Sequence, residues 1–517
     1  MVEEVDKTTK ASEKTKKSHK GWIWGIIGGI VGIAIIAVVV IVVLNLKPVD
    51  PDDPTASISY SKSFFIYDKN YTLWNADGKR LTENEYSDVS NFVGGYAYVQ
   101  KEDLTGIIRD NGSMSVDFDR YQSIAARGGL YLAQNKDSEE YSLITGAGRE
   151  VIRGNNLDVM SSSYDGGFAV VKSDKSIAVY SYTGNLIFET PLVDDADDPA
   201  MNDSDDFGIV YYANTNYVFD VRDGKMITSF EGPRFNFEEV SNDRKMILLE
   251  NYDKLYDYRL VANNRVYDLG QMEYYGFTVQ NQLIGYDSSS NLGLLNDDFQ
   301  VVSKVSSYIQ LKDSYNYAVE ENGKVVIYKN GNKAREFDNA GIASGGVLYE
   351  DYYAIESDNK VTYYNLDGAA VFNHDFVYGS IFNRHHLAVA AETEGERYLI
   401  DARGNRVTDY TARNFSVTDG GFEVENGDDK YAVANKAGKL VTDFAYDDVY
   451  YRSSAKPRNI WTGEKEQDKY DVIDADSGKI IASDIKVYDF SANYFVAKND
   501  DKKVYYTYTG QIFYTES

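Results

Sequence analysis

The side chains best suited to chemistry in this sequence are carboxylates, which are densest in the segment 194–206, DDADDPAMNDSDD. Hard oxygen ligands of this kind bind Ca²⁺, and a calcium loop places them in a fixed order with a glycine sixth and a glutamate twelfth. The segment 194–206 lacks that order. We therefore interpret it as a solvated acidic loop, with calcium binding as the alternative.

A second group of carboxylates resembles a calcium loop over only five residues. It comprises Asp474 and Asp476, followed by Gly478. Asn75, Asp77 and Gly78 make a similar sequence elsewhere in the chain. Asn, Asp and Gly are favoured in tight turns because Asx side chains bond to nearby backbone and glycine accepts positive φ. Turn formation therefore explains this group without a metal.

Histidine and cysteine offer little further chemistry. The chain has four histidines and no cysteine, which excludes disulfides and thiol catalysis. His385 and His386 are adjacent, so on a strand they would point to opposite faces. Together with His374 they could still form part of a site, although surface or edge positions are favoured. His19 lies in the amino-terminal segment.

Sequences typical of hydrolases, zinc proteases and phosphate-binding loops are absent. The sequence therefore predicts no catalytic, cofactor-binding or metal-binding residues, and no cofactor. A pair of carboxylates that hydrolyses a glycosidic bond remains possible. With 81 acidic residues, the sequence does not single out such a pair.

Adjacent tyrosines form another repeated feature. On a strand, such a pair puts one ring on each face, so one can pack between sheets while the other meets a ligand. Exposed tyrosines suit sugars and peptides because the ring is apolar and its tip is polar. For any one tyrosine, sheet packing is the favoured interpretation. The pairs are Tyr211–Tyr212, Tyr274–Tyr275, Tyr352–Tyr353, Tyr363–Tyr364, Tyr450–Tyr451 and Tyr505–Tyr506.

Composition indicates the class of protein that must position these side chains. The 517 residues leave room for more than one domain. They include 45 Tyr, 23 Phe, 41 Gly and only 7 Pro, which favours an all-β protein with many tight turns. The formal net charge of −28 argues against a nucleic-acid partner, since phosphate binding needs clustered Lys and Arg.

The segment 21–46 is uncharged, apolar and long enough to span a bilayer as one helix. Six lysines precede it in residues 1–20, and the linker 47–57 that follows is rich in Pro and Asp. The positive-inside rule predicts a cytoplasmic amino terminus and an extracytoplasmic carboxyl terminus. A cleaved signal peptide is the alternative. Glycines spaced four apart in the span could support a helix dimer, although glycine is common in such helices.

Glycine-containing turns recur through the rest of the chain. Gaps of 32–40 residues separate them, apart from one interval of 107 residues, which degenerate turns at Asn263 and Asp297 fill. The segments between turns alternate apolar and polar residues, as half-buried strands do. The spacing predicts thirteen units of about 36 residues. The turn glycines are Gly78, Gly112, Gly148, Gly184, Gly224, Gly331, Gly368, Gly404, Gly438, Gly478 and Gly510.

Units of this length with about four strands are typical of propeller blades. A propeller usually has 4–8 blades, so thirteen units favour two rings. We place a first β-propeller at residues 58–305 and a second at 306–517. A linear β-solenoid is the alternative.

The units resemble the WG-repeat family of bacterial proteins. The segments 86–99 (YSDVSNFVGGYAYV), 105–112 (TGIIRDNG), 166–171, 291–297 (NLGLLND) and 430–438 (KYAVANKAG) carry the likeness. Thr105 and Leu292 stand where the family has tryptophan before glycine. The resemblance implies a repeat scaffold for binding and brings no catalytic residues.

Two main hypotheses of function follow from these observations. The first is a membrane-anchored, extracytoplasmic binding or scaffolding module at the bacterial cell surface, with a cell-wall glycan or a protein as ligand. The alternative is an envelope carbohydrate hydrolase that uses paired carboxylates on a propeller. A sensor is a third possibility, but the 1–20 tail carries no signalling domain, so it would need a partner.

Overall fold

The structure is a computed structural model that describes residues 61–155, 157–161, 167–173, 175–204, 207–269, 272–278, 281–305, 309–499 and 502–516. The predicted cytoplasmic tail, membrane helix and linker lie outside these residues. Within the described ranges, helix is confined to one 3₁₀ turn at Ser453–Ala455. No helix there is long and apolar enough to cross a membrane.

Small antiparallel sheets make up the described part of the chain, which confirms the all-β prediction. Consecutive strands pair with one another, and we call each such group of strands a unit. Units 1–5 contain β1 (Ser63–Tyr67), β2 (Tyr71–Asn75); β3 (Asp88–Val89), β4 (Tyr96–Lys101), β5 (Leu104–Arg109), β6 (Met114–Val116); β7 (Ser123–Arg127), β8 (Leu130–Gln134), β9 (Tyr141–Thr145), β10 (Glu150–Gly154); β11 (Asp158–Ser161), β12 (Phe168–Lys172), β13 (Ser176–Ser181), β14 (Leu186–Pro191); and β15 (Ala200–Ser204), β16 (Phe207–Tyr212), β17 (Thr215–Asp220), β18 (Lys225–Glu231).

The middle of the chain follows the same plan, with one added parallel pairing between units 8 and 9. Units 6–9 contain β19 (Phe235–Val240), β20 (Met246–Asn251), β21 (Tyr258–Ala262), β22 (Arg265–Asp268); β23 (Tyr274–Phe277), β24 (Leu283–Tyr286), β25 (Leu292–Leu295), β26 (Val301–Val305); β27 (Ile309–Asp313), β28 (Asn316–Glu321), β29 (Lys324–Lys329), β30 (Asn332–Asp338); and β31 (Ala340–Ile342), β32 (Gly346–Val347), β33 (Tyr352–Ser357), β34 (Lys360–Asn365).

The last two units share one long strand, β44, so their strands form a single seven-stranded sheet. In units 1, 9, 10 and 11 the outermost strand is reduced to isolated bridges. Units 10–13 contain β35 (Tyr378–Gly379), β36 (Ala388–Ala391), β37 (Tyr398–Ile400); β38 (Asn414–Thr418), β39 (Gly421–Glu425), β40 (Tyr431–Ala434); β41 (Asp448–Tyr451), β42 (Ile460–Glu466), β43 (Lys469–Asp474), the first half of β44 (Lys479–Phe490); and its second half, β45 (Tyr494–Asn499), β46 (Lys502–Thr507), β47 (Ile512–Thr515).

Tight turns set the repeat, as predicted. All eleven turn glycines have φ between 62° and 90°, a region that side chains with a Cβ enter only with strain. In the degenerate units the same place is taken by Asn263 at φ 52° and by Phe299 at φ 59°. Phe299 lies two residues beyond the predicted Asp297. The described part of the chain therefore contains thirteen units, the predicted number.

The core consists of separate layers between units. Among the described residues there are thirteen hydrophobic clusters, and each lies mainly between two consecutive units. Ile107 of unit 2 packs with Ile124 of unit 3, for example. Val305 and Ile309, on either side of the predicted ring boundary, share one cluster. The division into two rings at this point stays a prediction.

The thirteenth cluster joins the last unit to the first. Val496 and Tyr505 of unit 13 pack against Ile66 of unit 1. Asn493 Nδ2 also donates a hydrogen bond to the Ser61 carbonyl oxygen at 2.8 Å. The contacts between units therefore form a complete cycle.

Two buried tyrosines of unit 9 differ in whether the hydroxyl group makes a hydrogen bond. Tyr353 and Tyr363 are both 0% exposed. The Tyr363 hydroxyl donates to the Ser380 carbonyl oxygen at 2.7 Å. The Tyr353 hydroxyl has no hydrogen-bond partner among the described residues.

We expect Tyr363→Phe to lower the free energy of unfolding by about 1 kcal/mol, because it removes a buried hydrogen bond. Tyr353→Phe should leave it unchanged or raise it, since the lost hydroxyl was buried without a partner. Denaturant unfolding of the two variants measures both effects. Equal destabilisation by both substitutions would contradict this explanation.

Candidate functional site

A large cavity lies where the first and last units meet. It has a volume of about 1010 Å³, at the upper end of the range for small-molecule sites. We call it the junction cavity. Units 1, 2, 12 and 13 all contribute to its wall. The polar and aromatic lining residues are Lys62, Ser63, Asn75, Asp77, Asp110, Asn111, Arg458, Asn459, Asp474, Asp476, Asn493 and Tyr508.

Equivalent repeat turns build two sides of the junction cavity. Asn75 Oδ1 accepts hydrogen bonds from the backbone N–H of Asp77 at 3.1 Å and of Lys79 at 2.9 Å. Asp474 Oδ1 accepts in the same way from the Asp476 N–H at 3.0 Å. The first polar residue of each turn therefore holds the backbone, and the exposed side chains of Asp77 and Asp476 are available to a ligand.

A rigid polar wall supports the turn of unit 12. Asn459 is only 6% exposed, and its Nδ2 donates to the Gly420 carbonyl at 2.8 Å and to Asp476 Oδ1 at 3.0 Å. Its Oδ1 accepts from Trp461 Nε1 at 3.1 Å. Because all of these bonds fix the carboxamide, Asn459 orients Asp476 toward the cavity.

The cations of the cavity lack carboxylate partners among the residues that the structure describes. Neither Arg458 nor Lys62 has an acidic side chain within ion-pair distance there. The Arg458 guanidinium instead lies over the Tyr508 ring, 5.1 Å from its centre. The Tyr508 hydroxyl donates to the Ser491 carbonyl at 2.6 Å, and burial raises its pKa. A hydrogen-bonding ligand would therefore find free cationic donors.

One carboxyl group of the cavity, that of Asp110, is partly buried. Burial raises the pKa of Asp110 above its usual value, although backbone hydrogen bonds oppose the shift. Asp77, Asp474 and Asp476 line the same cavity. The site therefore combines acceptors, a carboxyl group that retains its proton to higher pH, and cationic donors.

The histidines considered in the sequence do not come together. His385 Nε2 lies 2.7 Å from the Thr418 carbonyl oxygen, and His386 Nδ1 lies 2.7 Å from Glu350 Oε1. His374 packs its ring on Phe376. Each histidine thus has its own structural contact, and no group of three metal-ligating side chains occurs in the described ranges.

The predicted acidic loop 194–206 is a loop only as far as residue 199, because Ala200–Ser204 form strand β15 of unit 5. The segment lies far along the chain from the junction cavity. Residues 193–198 line a separate cavity of about 610 Å³ together with Tyr211, Tyr212 and Arg234. Asp198 forms an ion pair with Lys172. Asp205 and Asp206 fall outside the described residues. The carboxylates that are described do not form a metal-binding group.

The tyrosine pairs follow the predicted alternation. In five of the six pairs one ring is buried, at 8% exposure or less, while its neighbour is more exposed. Tyr274 is 48% exposed and Tyr275 is 1% exposed, for example. Tyr450–Tyr451 is the exception, because Tyr451 is only half-buried against Trp461.

Sequence reasoning assigned the Asp474–Gly478 group to a turn, and the geometry confirms that assignment. It missed that the same turn lines a cavity. The sequence feature that belongs to the cavity is the Asn/Asp turn, which recurs in most units. Its spacing does not reveal which turns meet, since that depends on contact between units 1 and 13.

No protein-family model and no curated protein match this chain. Among solved structures it is similar to Kluyveromyces lactis Hsv2, at 11% identity and TM-score 0.22, over 42% of this chain and 78% of that one. It is also similar to a structure described as the eukaryotic initiation factor, at 11% identity and TM-score 0.27, over 62% of this chain and 97% of that one. A third similar structure is the computationally designed Ika8 protein, at 10% identity and TM-score 0.18, over 61% of this chain and 93% of that one. At such TM-scores these likenesses carry no argument about function.

Proposed function

We propose that this chain is a WG-like repeat protein of propeller architecture, anchored in the membrane by 21–46, which binds a glycan outside the cell. The junction cavity is the observation that carries this proposal. Its mixture of carboxylate, carboxamide and guanidinium groups with a tyrosine ring suits a ligand rich in hydroxyl groups. The complete cycle of contacts between units supports the propeller architecture.

The orientation in the membrane rests on the uncharged span and the lysines before it. Protease added to intact cells is expected to digest residues 58–517 and leave a short protected fragment. Recovery of the protein from the medium, cleaved near Ser57, would instead support a signal peptide.

Asp77→Ala and Arg458→Ala test the cavity. Each is expected to weaken glycan binding about tenfold, because a charge-assisted hydrogen bond is lost. A glycan array followed by titration calorimetry of the full chain in detergent measures the effect.

The repeat supplies matched controls for both variants. Asp367 occupies the same place in the turn of unit 9 as Asp77 does in unit 1, and Arg403 lies in the turn of unit 10. Neither lines the junction cavity. Asp367→Ala and Arg403→Ala should bind glycan like the native chain. Equal losses in test and control variants would exclude this cavity as the site.

A glycoside hydrolase is the second candidate function, and the raised pKa of Asp110 favours it. A carboxyl group that stays protonated can act as general acid while a second carboxylate acts as base or nucleophile. Incubation of the bound glycan with the full chain distinguishes the two functions. A binding protein returns the glycan intact, whereas a hydrolase produces new reducing ends that Asp110→Asn abolishes.

A further inference from the structure

The junction cavity has two neighbouring cavities, lined by residues of units 1–3 and, in the first of the two, also of units 12 and 13. The second cavity, of about 580 Å³, shares Ser63, Ala492 and Asn493 with the junction cavity. The third, of about 480 Å³, shares Val89 and Asn91 with the second. Each is larger than the ~300 Å³ at which small-molecule sites begin. The three cavities therefore form a row with shared walls.

The chemistry of the row alternates. The wall of the junction cavity carries charged side chains, as described above, whereas the second cavity has five aromatic side chains and no charged one. Phe65 and Phe92 stack with ring centres 5.3 Å apart and planes 3° apart, and Phe64 lies 4.4 Å from Tyr494. Tyr71 completes the aromatic lining, and four serines also line the cavity.

The third cavity is polar again. It is lined by Asp88, Ser90, Asn91, Tyr98 and Arg127. Arg127 bonds only to carbonyl oxygens among the described residues, through Nε to Val159 at 3.1 Å and through Nη1 to Ala126 at 2.8 Å. Its guanidinium therefore keeps a positive charge that no carboxylate in the described ranges neutralises.

We propose that the three cavities are successive subsites for one linear glycan chain, an inference that rests on the proposed function. Sugar rings present apolar C–H faces, which suit the aromatic second cavity, and hydroxyl groups, which suit the polar cavities at either end. An extended peptide is the other polymer of this width. It would add to a strand edge, and β3 at the centre of the row is only two residues long.

The test measures affinity against chain length. Oligomers of two, four and six sugars, in one ladder of β-1,4-linked N-acetylglucosamine and one of β-1,4-linked glucose, are titrated into the full chain in detergent. In at least one ladder the hexamer is expected to bind about tenfold more tightly than the dimer, because it gains contacts in the second and third cavities, including those at Asn91 between them.

Two variants separate the subsites. Asn91→Ala, at an exposed residue between the second and third cavities, should remove most of the hexamer's advantage and leave dimer binding unchanged. Asp77→Ala, in the junction cavity alone, should weaken binding of all lengths alike. Unchanged thermal midpoints of both variants establish that neither result comes from unfolding.

The outcomes distinguish this inference from the proposed function. Equal affinity for all lengths, still reduced by Asp77→Ala, would overturn the row of subsites and leave the glycan-binding function intact. Binding of neither ladder would overturn the row of subsites, and binding of no glycan on the array would overturn the proposed function as well. If an unstructured decapeptide binds the native chain and does not bind Asn91→Ala, the row of cavities is a peptide-binding site and the glycan inference is overturned.

Discussion

Gly421→Ala is expected to lower the free energy of unfolding by about 3 kcal/mol or more. Gly421 has φ +138°, a conformation that residues with a Cβ rarely adopt. A Cβ added there would lie 2.3 Å from the Ala434 carbonyl oxygen and 2.9 Å from the Asn435 carbonyl carbon. Both contacts are with backbone, so strands β39 and β40 would have to separate to make room.

Gly232 provides the matched control. Its φ is +132°, close to that of Gly421, but a Cβ there would meet nothing within 4 Å. Gly232→Ala therefore introduces the backbone strain alone, at about 1–2 kcal/mol. Thermal and denaturant unfolding of both variants measure the difference. Equal destabilisation would show that strain, and not the close backbone contact, determines the cost at Gly421.

The same unfolding curves also test whether the two predicted rings unfold separately. If residues 58–305 and 306–517 form separate rings, Gly421→Ala should shift only one of two transitions. One transition that shifts as a whole would show that all thirteen units unfold together, which would contradict the division. The cluster of Val305 and Ile309 lies at the predicted boundary and is the place where the two parts would be coupled.

Local features of the fold were predictable because local physics determines them. Glycine at a nearly regular interval indicates turns with positive φ, and alternating apolar residues indicate strands with one buried face. The same reasoning identified the degenerate turn at Asn263. It placed the next turn at Asp297, whereas the positive φ falls at Phe299, where the ring packs on Tyr267. Asp297 therefore lies within the turn, which is closed by the hydrogen bond from the Phe299 N–H to the Asn296 carbonyl oxygen at 2.9 Å.

The candidate site was not predictable in the same way. Asp77 and Asp476 are far apart in the sequence, and each lies in an ordinary repeat turn. They line one cavity because unit 13 packs on unit 1 through Ile66, Val496 and Tyr505. Each of those residues is an apolar strand residue of the kind present in most units. Sequence spacing therefore indicates that units stack, and leaves open which two units close the cycle.

Asp471 is the most deeply buried carboxylate of unit 12, and its removal should also have a large effect. Its side chain is 0% exposed. Oδ1 accepts hydrogen bonds from Ser483 Oγ at 2.6 Å and from Lys465 Nζ at 2.9 Å, and Oδ2 accepts from the Tyr446 hydroxyl at 3.0 Å. Oδ1 also accepts from the Asp484 N–H at 3.4 Å, so Asp471→Ala leaves four donors without this acceptor, which should cost about 3 kcal/mol.

The pH dependence of Asp471 follows from the same contacts. Burial alone would raise the pKa of Asp471, but hydrogen bonds from Ser483, Lys465 and Tyr446 outweigh it and hold the pKa below its usual value. A carboxyl group whose pKa is lower in the folded state stabilises the fold above its unfolded pKa, about 3.9. That stabilisation is lost as the pH falls through 3.9 toward the lower folded pKa.

Asp471→Asn removes the titrating group and keeps its shape. We expect the variant to be less stable than the native chain at pH 7, and the gap between the two thermal midpoints to narrow as the pH is lowered from 6 to 3. Asp468→Asn is the control, because Asp468 is exposed, pairs with Lys486 at 2.7 Å and has φ +65°, which asparagine accepts. Its midpoints should run parallel to those of the native chain. A constant gap between native chain and Asp471→Asn would show that the Asp471 carboxyl group has the same pKa in the folded and unfolded states.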